Sequence, residues 1–334
     1  MVKNALISVE EANYLIRQGH SLLFAGEESL LADLEKGTWI GGTIPYFMGP
    51  DGGTFDTERL FVTDLPSSMT VSSTRFYSHA EIQHIFENSD VEGISFIIIP
   101  FGSAAHTVFA EGAPGFDEYL MRPLIGWVSG CALAGGAGLN QPKVFLGKTM
   151  EESGDKAVVM HCRLNKEAKA RIDIVNVFTP DPKADLIQFE ETGFMVTNAL
   201  INGERQRFCD YLQKTDANTT LPLVTDQYGA MINVSIRSVD RDSGTVEFYT
   251  PVFPRLSYRF ALPVDDYAGA FEAIAPNNIE NAVFSSNCVL NYLYAGLEGR
   301  MVGRGVFGPI TFGEIAYQLL NQTLVYAVIE ARGQ

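Results

Sequence analysis

The residue types with the most chemical potential lie in the last third of the chain. A buried-looking strand, Phe284-Ser-Ser-Asn-Cys288, delivers a thiol to its end. Gly313-Glu314-Ile315-Ala316 follows, with a carboxylate directly after a glycine, and then Asn321-Gln322-Thr323 leads into an apolar run. Polar groups at the ends of buried elements are where α/β proteins build pockets. Glu314 reads as the start of a short helix, where the helix dipole and free N–H groups favour a carboxylate. Two roles fit it: a pocket carboxylate that accepts hydrogen bonds from a ligand amine or guanidinium, or a structural charge at the helix start. Cys288 could act as a nucleophile only with a base beside it and a lowered pKa. No histidine is near it in sequence, which favours a small buried or pocket-lining thiol. Cys131 invites the same reading.

Other features point less sharply. The loop Gly135-Gly136-Ala137-Gly138 lacks a following Lys-Ser/Thr and has no GxGxxG spacing, so close backbone approach fits better than nucleotide binding. Gly41-Gly42-Thr43 forms a second glycine-lined turn, flanked by Trp39, Tyr46, Phe47 and Met48, and such aromatics make pocket walls or core. The histidines, at 20, 79, 84, 106 and 161, show no HxH or HxxxH metal spacing. The four cysteines, at 131, 162, 209 and 288, form no CxxC pair and read as reduced thiols of a cytoplasmic protein.

The elements that must position these residues alternate between helix and strand. Ser8 and Glu11 form a capping box for a first helix, which Gly19 stops. Leu22 to Ala25 and Trp39 to Thr43 read as strands. Asp51-Gly52-Gly53 is a hairpin turn signal with Leu60 to Thr63 as the returning strand. Ile94 to Pro100 and Leu124 to Val128 read as buried strands, and Tyr267 to Ile274 as a helix. The fold class is α/β or mixed α+β, in two halves of similar size, 1–165 and 166–334, each a mixed sheet with flanking helices. Such halves can stack as a four-layer αββα sandwich.

Bulk composition excludes several functions. The chain has 334 residues, of which 46% are hydrophobic, and a net charge of −16, so it is globular and repels phosphate backbones and anionic membranes. No apolar run reaches the ~20 residues of a membrane helix, and the N-terminus lacks a secretory core.

The order of these segments resembles the FIST sensory domain family, a bacterial ligand-sensing module, across nearly the whole chain. In the second half the resemblance rests on the hairpin Gly244 to Tyr249, the helix Tyr267 to Ile274, Cys288, and Gly-Glu-Ile-Ala followed by Asn-Gln-Thr-Leu. In the first half it rests on Leu22-Leu-Phe24, Ile40 to Ile44 and Ser129 to Gly138. The family often has Cys-x-x-Arg, whereas Asn291 stands there in this chain; Arg300 or Arg304 could substitute. The resemblance implies sensory binding of a small polar metabolite such as an amino acid, with Glu314, Cys288, Cys131, Gly135, Gly136, Gly41, Gly42, Thr43 and Asn321 as ligand-binding residues. It implies no catalytic residue, no metal and no cofactor, although His20 could ligate haem, which has been linked to some members of the family. FIST-like regions fill the chain, so a sensor of this kind signals through a separate protein partner; a two-fold homodimer is compatible with it. The rival reading is a cysteine hydrolase that uses Cys288 or Cys131 with a histidine brought close by folding.

Overall fold

A computed structural model describes residues 4–118, 120–133, 141–227, 229–276, 279–302 and 305–332. The capping box forms as its residues demand: Ser8 Oγ accepts from the Glu11 N–H at 3.2 Å, and Glu11 Oε2 accepts from the Ser8 N–H at 2.8 Å. The helix Val9–Arg17 then turns Ala12 and Ile16 inward, against Leu22, Phe24 and Trp39.

Those three residues belong to a six-stranded sheet in the order Asn4–Ile7, Leu60–Asp64, Leu22–Gly26, Trp39–Thr43, Val144–Leu146, Glu151–Ser153. A second sheet runs Gln318–Leu320, Glu314–Ala316, Leu124–Ser129, Gly93–Pro100, Ala157–Leu164, Met69–Tyr77. A third runs Ala168–Val175, Leu324–Ala331, Phe284–Cys288, Gly308–Thr311, Tyr46–Gly49, Gly52–Phe55. Each contains one parallel pair among antiparallel ones, so the architecture is mixed α+β. Side chains alternate across every strand. Leu23 and Ile40 of the first sheet therefore meet Phe96 and Ile98 of the second and Phe284 of the third in one core, while Ile97 and Ile99 pack outward on Phe109 of the helix Ala104–Gly112. Across the first two sheets the layers are helix, sheet, sheet, helix. Two further sheets surround their own core of Phe189, Phe208, Phe248 and Tyr258 and form a smaller lobe.

Both the second and the third sheet draw strands from the two ends of the chain. Glu314–Ala316 joins the first-half strand Leu124–Ser129, and Tyr46–Gly49 joins the second-half strand Gly308–Thr311. Two local expectations are corrected here. Gly313-Glu314-Ile315-Ala316 does not start a helix, because Glu314 is hydrogen-bonded into a ladder on both sides, opposite Trp127 and Leu320. The hairpin at Asp51 returns through Gly52–Phe55 rather than Leu60 to Thr63. Gly52, at φ +99°, closes a tight turn that pairs Gly49 with Gly52, and Leu60–Asp64 crosses to the first sheet.

Candidate functional site

The strand ladder fixes Glu314 in the interior, where it is fully buried. Asn321-Gln322-Thr323 turns through a left-handed Gln322 (φ 49°) just before the strand Leu324–Ala331. This presents Thr323 to the acid: Glu314 Oε2 accepts from Thr323 Oγ1 at 2.7 Å and from the Thr323 N–H at 3.2 Å. Oε1 has no hydrogen-bond partner of standard geometry within the described protein. Burial raises the pKa of Glu314 to about 8, outweighing the two Thr323 bonds that lower it. The side chain is therefore a neutral acid at pH 7, in contrast to the ionised, dipole-stabilised carboxylate expected at a helix start.

Cys288 ends the strand Phe284–Cys288 and caps the helix Val289–Tyr294. Its N–H donates to Asn287 Oδ1 at 2.8 Å, and its thiol lies beside Glu314. Burial first, and then the neighbouring carboxyl, push the thiol well above its ordinary pKa. A hydrolase nucleophile needs the opposite shift and an imidazole. Among the described residues no hydrogen bond joins a histidine to a cysteine. His20 Nδ1 is held by Asp64 at 2.9 Å, His84 by Glu87 at 2.7 Å, and His161 sits between Ser95 Oγ and Tyr77 OH, both at 2.8 Å.

Asn291, one turn past Cys288, ties the cluster together. Its Nδ2 donates to Tyr267 OH at 2.8 Å, and it lies 3.0 Å from Asn287 Oδ1 and 3.3 Å from the Thr323 carbonyl. Three acceptors around Nδ2 fix the amide orientation and leave Oδ1 without a partner. Tyr267 opens the helix Tyr267–Ile274; its phenol is pushed up by burial and by the nearby Glu314. Asn287 Nδ2, Trp127 Nε1 and Ser129 Oγ are also buried without a partner. Buried polar groups are nearly always satisfied, so these unpartnered atoms single out this part of the interior as a candidate site.

A cleft of about 280 Å³ opens beside this cluster, with Asn291, Tyr267, Tyr294 and Gln322 among its walls. Asp265, Asp266 and Arg300 supply its charge, and Arg300 Nη2 lies 3.7 Å from Asp266 Oδ1. Arg300 and Asn291 thus line the same cleft. A larger surface cleft, about 540 Å³, runs between Gln83 and Arg122 but shares no lining residue with the Glu314 cluster and contains none of the unpartnered buried atoms.

The other sequence-derived site residues lie around this centre rather than in it. Gly42 faces Trp127 and Ser129: a Cβ there would stand 3.4 Å from Trp127 Nε1, 3.2 Å from Ser129 Cβ and 2.6 Å from Ile98, so the glycine lets the first two sheets approach. Gly41 is packed against Leu31. Thr43 Oγ1 accepts from the Lys143 N–H at 2.9 Å, and its carbonyl accepts from the Gly130 N–H at 2.7 Å. Cys131 is partly exposed, and burial and Glu27 raise its pKa. Gly135, Gly136 and Arg304 lie outside the described residues. Asn321 spends its amide on the smaller lobe, accepting from Ser235 Oγ at 2.9 Å and donating to Thr250 Oγ1 at 3.0 Å. Asp266 carries no role in the sequence reading, and Tyr267 appears there only as the start of a helix; Asp266 caps that helix, and nothing local in the sequence shows that this end meets Asn291.

Over residues 7–330 the chain matches the family of unknown function DUF6976, and it belongs to that family. No curated protein and no solved structure matches it. Among the described residues no helix is long and apolar enough to cross a membrane.

Proposed function

We propose that the chain is a FIST-like sensory protein that binds a small polar molecule, of the amino-acid class, in the cleft beside Asn291, and signals through a separate partner. The observation that carries this reading is the wall of the cleft itself. Asn291 is almost fully buried, its amide orientation is fixed, and its Oδ1 has no partner in the described protein. A buried acceptor of that kind costs about 1–3 kcal/mol if nothing donates to it.

The charges suit a zwitterion. Arg300 offers a guanidinium fork for a carboxylate, and Asp265 and Asp266 offer acceptors for an ammonium group. A cleft of about 280 Å³ is at the small end of ligand sites, which favours a metabolite over a nucleotide. A sensor needs different affinities in two conformations. Gln322 lines the cleft while its Nε2 donates to the Thr220 carbonyl at 3.3 Å, so occupancy of the cleft bears on a contact to the smaller lobe.

The test is a thermal-shift screen of the full chain against the amino acids, simple amines and nucleotides. A ligand at one hundred times its dissociation constant stabilises by about 2.7 kcal/mol, which such a screen resolves. An amino acid that stabilises the wild type and not Arg300→Ala supports the assignment. Stabilisation by nucleotides alone, or by no compound, sinks it.

A further inference from the structure

We propose that ligand uptake is coupled to loss of the proton on Glu314: an amine bound in the cleft beside Asn291 favours the carboxylate form of the buried acid. This rests on the binding reading above and adds the chemistry of one ligand group and its linkage to the interior.

The geometry supplies each part. Tyr267, which lines the cleft and accepts from Asn291, is also the phenol that feels Glu314, so the wall of the cleft and the buried acid are neighbours. The described groups that hydrogen-bond Glu314 or are shifted by it are uncharged at neutral pH. From the strand Phe284–Cys288 comes the Cys288 thiol, and from the helix Tyr267–Ile274 the Tyr267 phenol, both shifted upward and so protonated. From the third segment comes Thr323, which donates twice. From the strand Leu124–Ser129 comes Trp127, in register with Glu314. The nearby strand Ala168–Val175 carries Arg171, but its guanidinium is paired with Glu330 and Asp173. The cleft itself carries Asp265, Asp266 and Arg300, with Arg300 Nη2 3.7 Å from Asp266 Oδ1, so an ammonium bound there is a cation that these aspartates and Glu314 share. An opposite charge at close range favours the ionised form of an acid.

Trp127 Nε1, on the strand paired with Glu314, and Asn287 Nδ2, on the third sheet, are buried donors with no acceptor in the described protein. The bond that breaks is the carboxyl O–H, and the proton leaves to buffer. Linkage is reciprocal: if the amine favours the carboxylate, ionisation of Glu314 must tighten amine binding by the same factor.

The experiment is calorimetric titration of the full chain with each L-amino acid, alongside its deaminated carboxylate, at pH 7 in phosphate and in Tris. The enthalpy difference between the buffers counts protons. Wild type should release close to one proton per amino acid bound, because the free acid is mostly protonated below its pKa of about 8. Affinity should rise about tenfold per pH unit from about pH 6 to about pH 8. Glu314→Gln should bind with no proton release and a flat profile. If that variant does not fold, the wild type alone still decides: the infrared band of a protonated carboxyl must disappear on binding. Amino-acid binding without proton release, or equal binding of the deaminated carboxylate, overturns the linkage and leaves the binding site standing. Absence of any amino-acid binding overturns both.

Discussion

Replacing Glu314 by Gln should flatten the pH dependence of folding stability. In the unfolded chain the carboxyl titrates at its ordinary 4.5; in the fold, burial holds it at about 8. Below 4.5 both states carry the proton and the group contributes nothing. Between the two values the unfolded state has lost the proton and the folded state has kept it, so stability falls as pH rises, by up to ~1.4 kcal/mol per pH unit. Above about 8 the loss levels off. The whole span corresponds to on the order of 5 kcal/mol. Gln keeps the shape, and its amide oxygen can still accept both bonds from Thr323. The assay is urea unfolding, followed by the fluorescence of Trp39 and Trp127, both almost fully buried. Between about pH 5 and about pH 8 the stability of Glu314→Gln should gain on the wild type by roughly 4 kcal/mol. A difference that stays constant with pH would refute the buried neutral acid, because it would mean that Glu314 titrates alike in both states.

Four further outcomes follow from the same geometry. Thr323→Val removes the 2.7 Å hydroxyl donor from a buried oxygen at nearly constant volume and should cost on the order of 1–3 kcal/mol in denaturant unfolding; a loss below about 0.5 kcal/mol would show that the bond is not made. Gly126→Ala places a Cβ 1.7 Å from the Ile97 carbonyl oxygen, a backbone atom that cannot step aside, so it should lower the thermal midpoint more than Gly42→Ala, whose closest neighbour is the Ile98 side chain. Arg300→Ala should leave stability within about 0.5 kcal/mol, because the side chain is half exposed, while abolishing amino-acid stabilisation in the thermal-shift screen. Alkylation of the native protein near neutral pH, read by peptide mass spectrometry, should modify the partly exposed Cys131 before the buried Cys162 and Cys288.

What was legible in the sequence was what short-range chemistry decides. Ser8 with Glu11, Gly19, the Asp51-Gly52 turn and the helix Tyr267–Ile274 each carry their cause within a few residues, and each forms. The role of Glu314 does not. Gly-Glu-Ile-Ala satisfies the local rules of a helix start, but a tight turn at Tyr317 (φ 64°) pairs it with Gln318–Leu320, and the distant strand Leu124–Ser129 pairs with its other edge. The same long-range pairing buries the acid and reverses its ionisation. Asn291 was noticed as a departure from the FIST pattern, yet its value as a fixed acceptor depends on Tyr267 and Thr323, which reach it from other parts of the chain.

The energetics of Glu314 bear on why such a group is there at all. Its bonds to Thr323 need only an acceptor oxygen, and a glutamine supplies one without the destabilisation an acid brings at neutral pH. What the acid adds is a proton that can leave. When it leaves, the change falls on Thr323, whose neighbours in sequence join the lobes: Asn233 Nδ2 donates to the Gln322 carbonyl at 3.1 Å, and Ser235 Oγ donates to Asn321 at 2.9 Å. On the proposed linkage, a charge created on Glu314 would act on the segment 321–323, which is hydrogen-bonded to Glu314 through Thr323 and to the smaller lobe through Asn321 and Gln322. A purely structural acid at this position would have no use for that connection, and exchanging it for glutamine would leave the smaller lobe's response to amino acids unchanged. Backbone hydrogen exchange across 230–236, measured with and without bound amino acid in wild type and Glu314→Gln, separates the two: protection should change on binding in the wild type and stay constant in the variant.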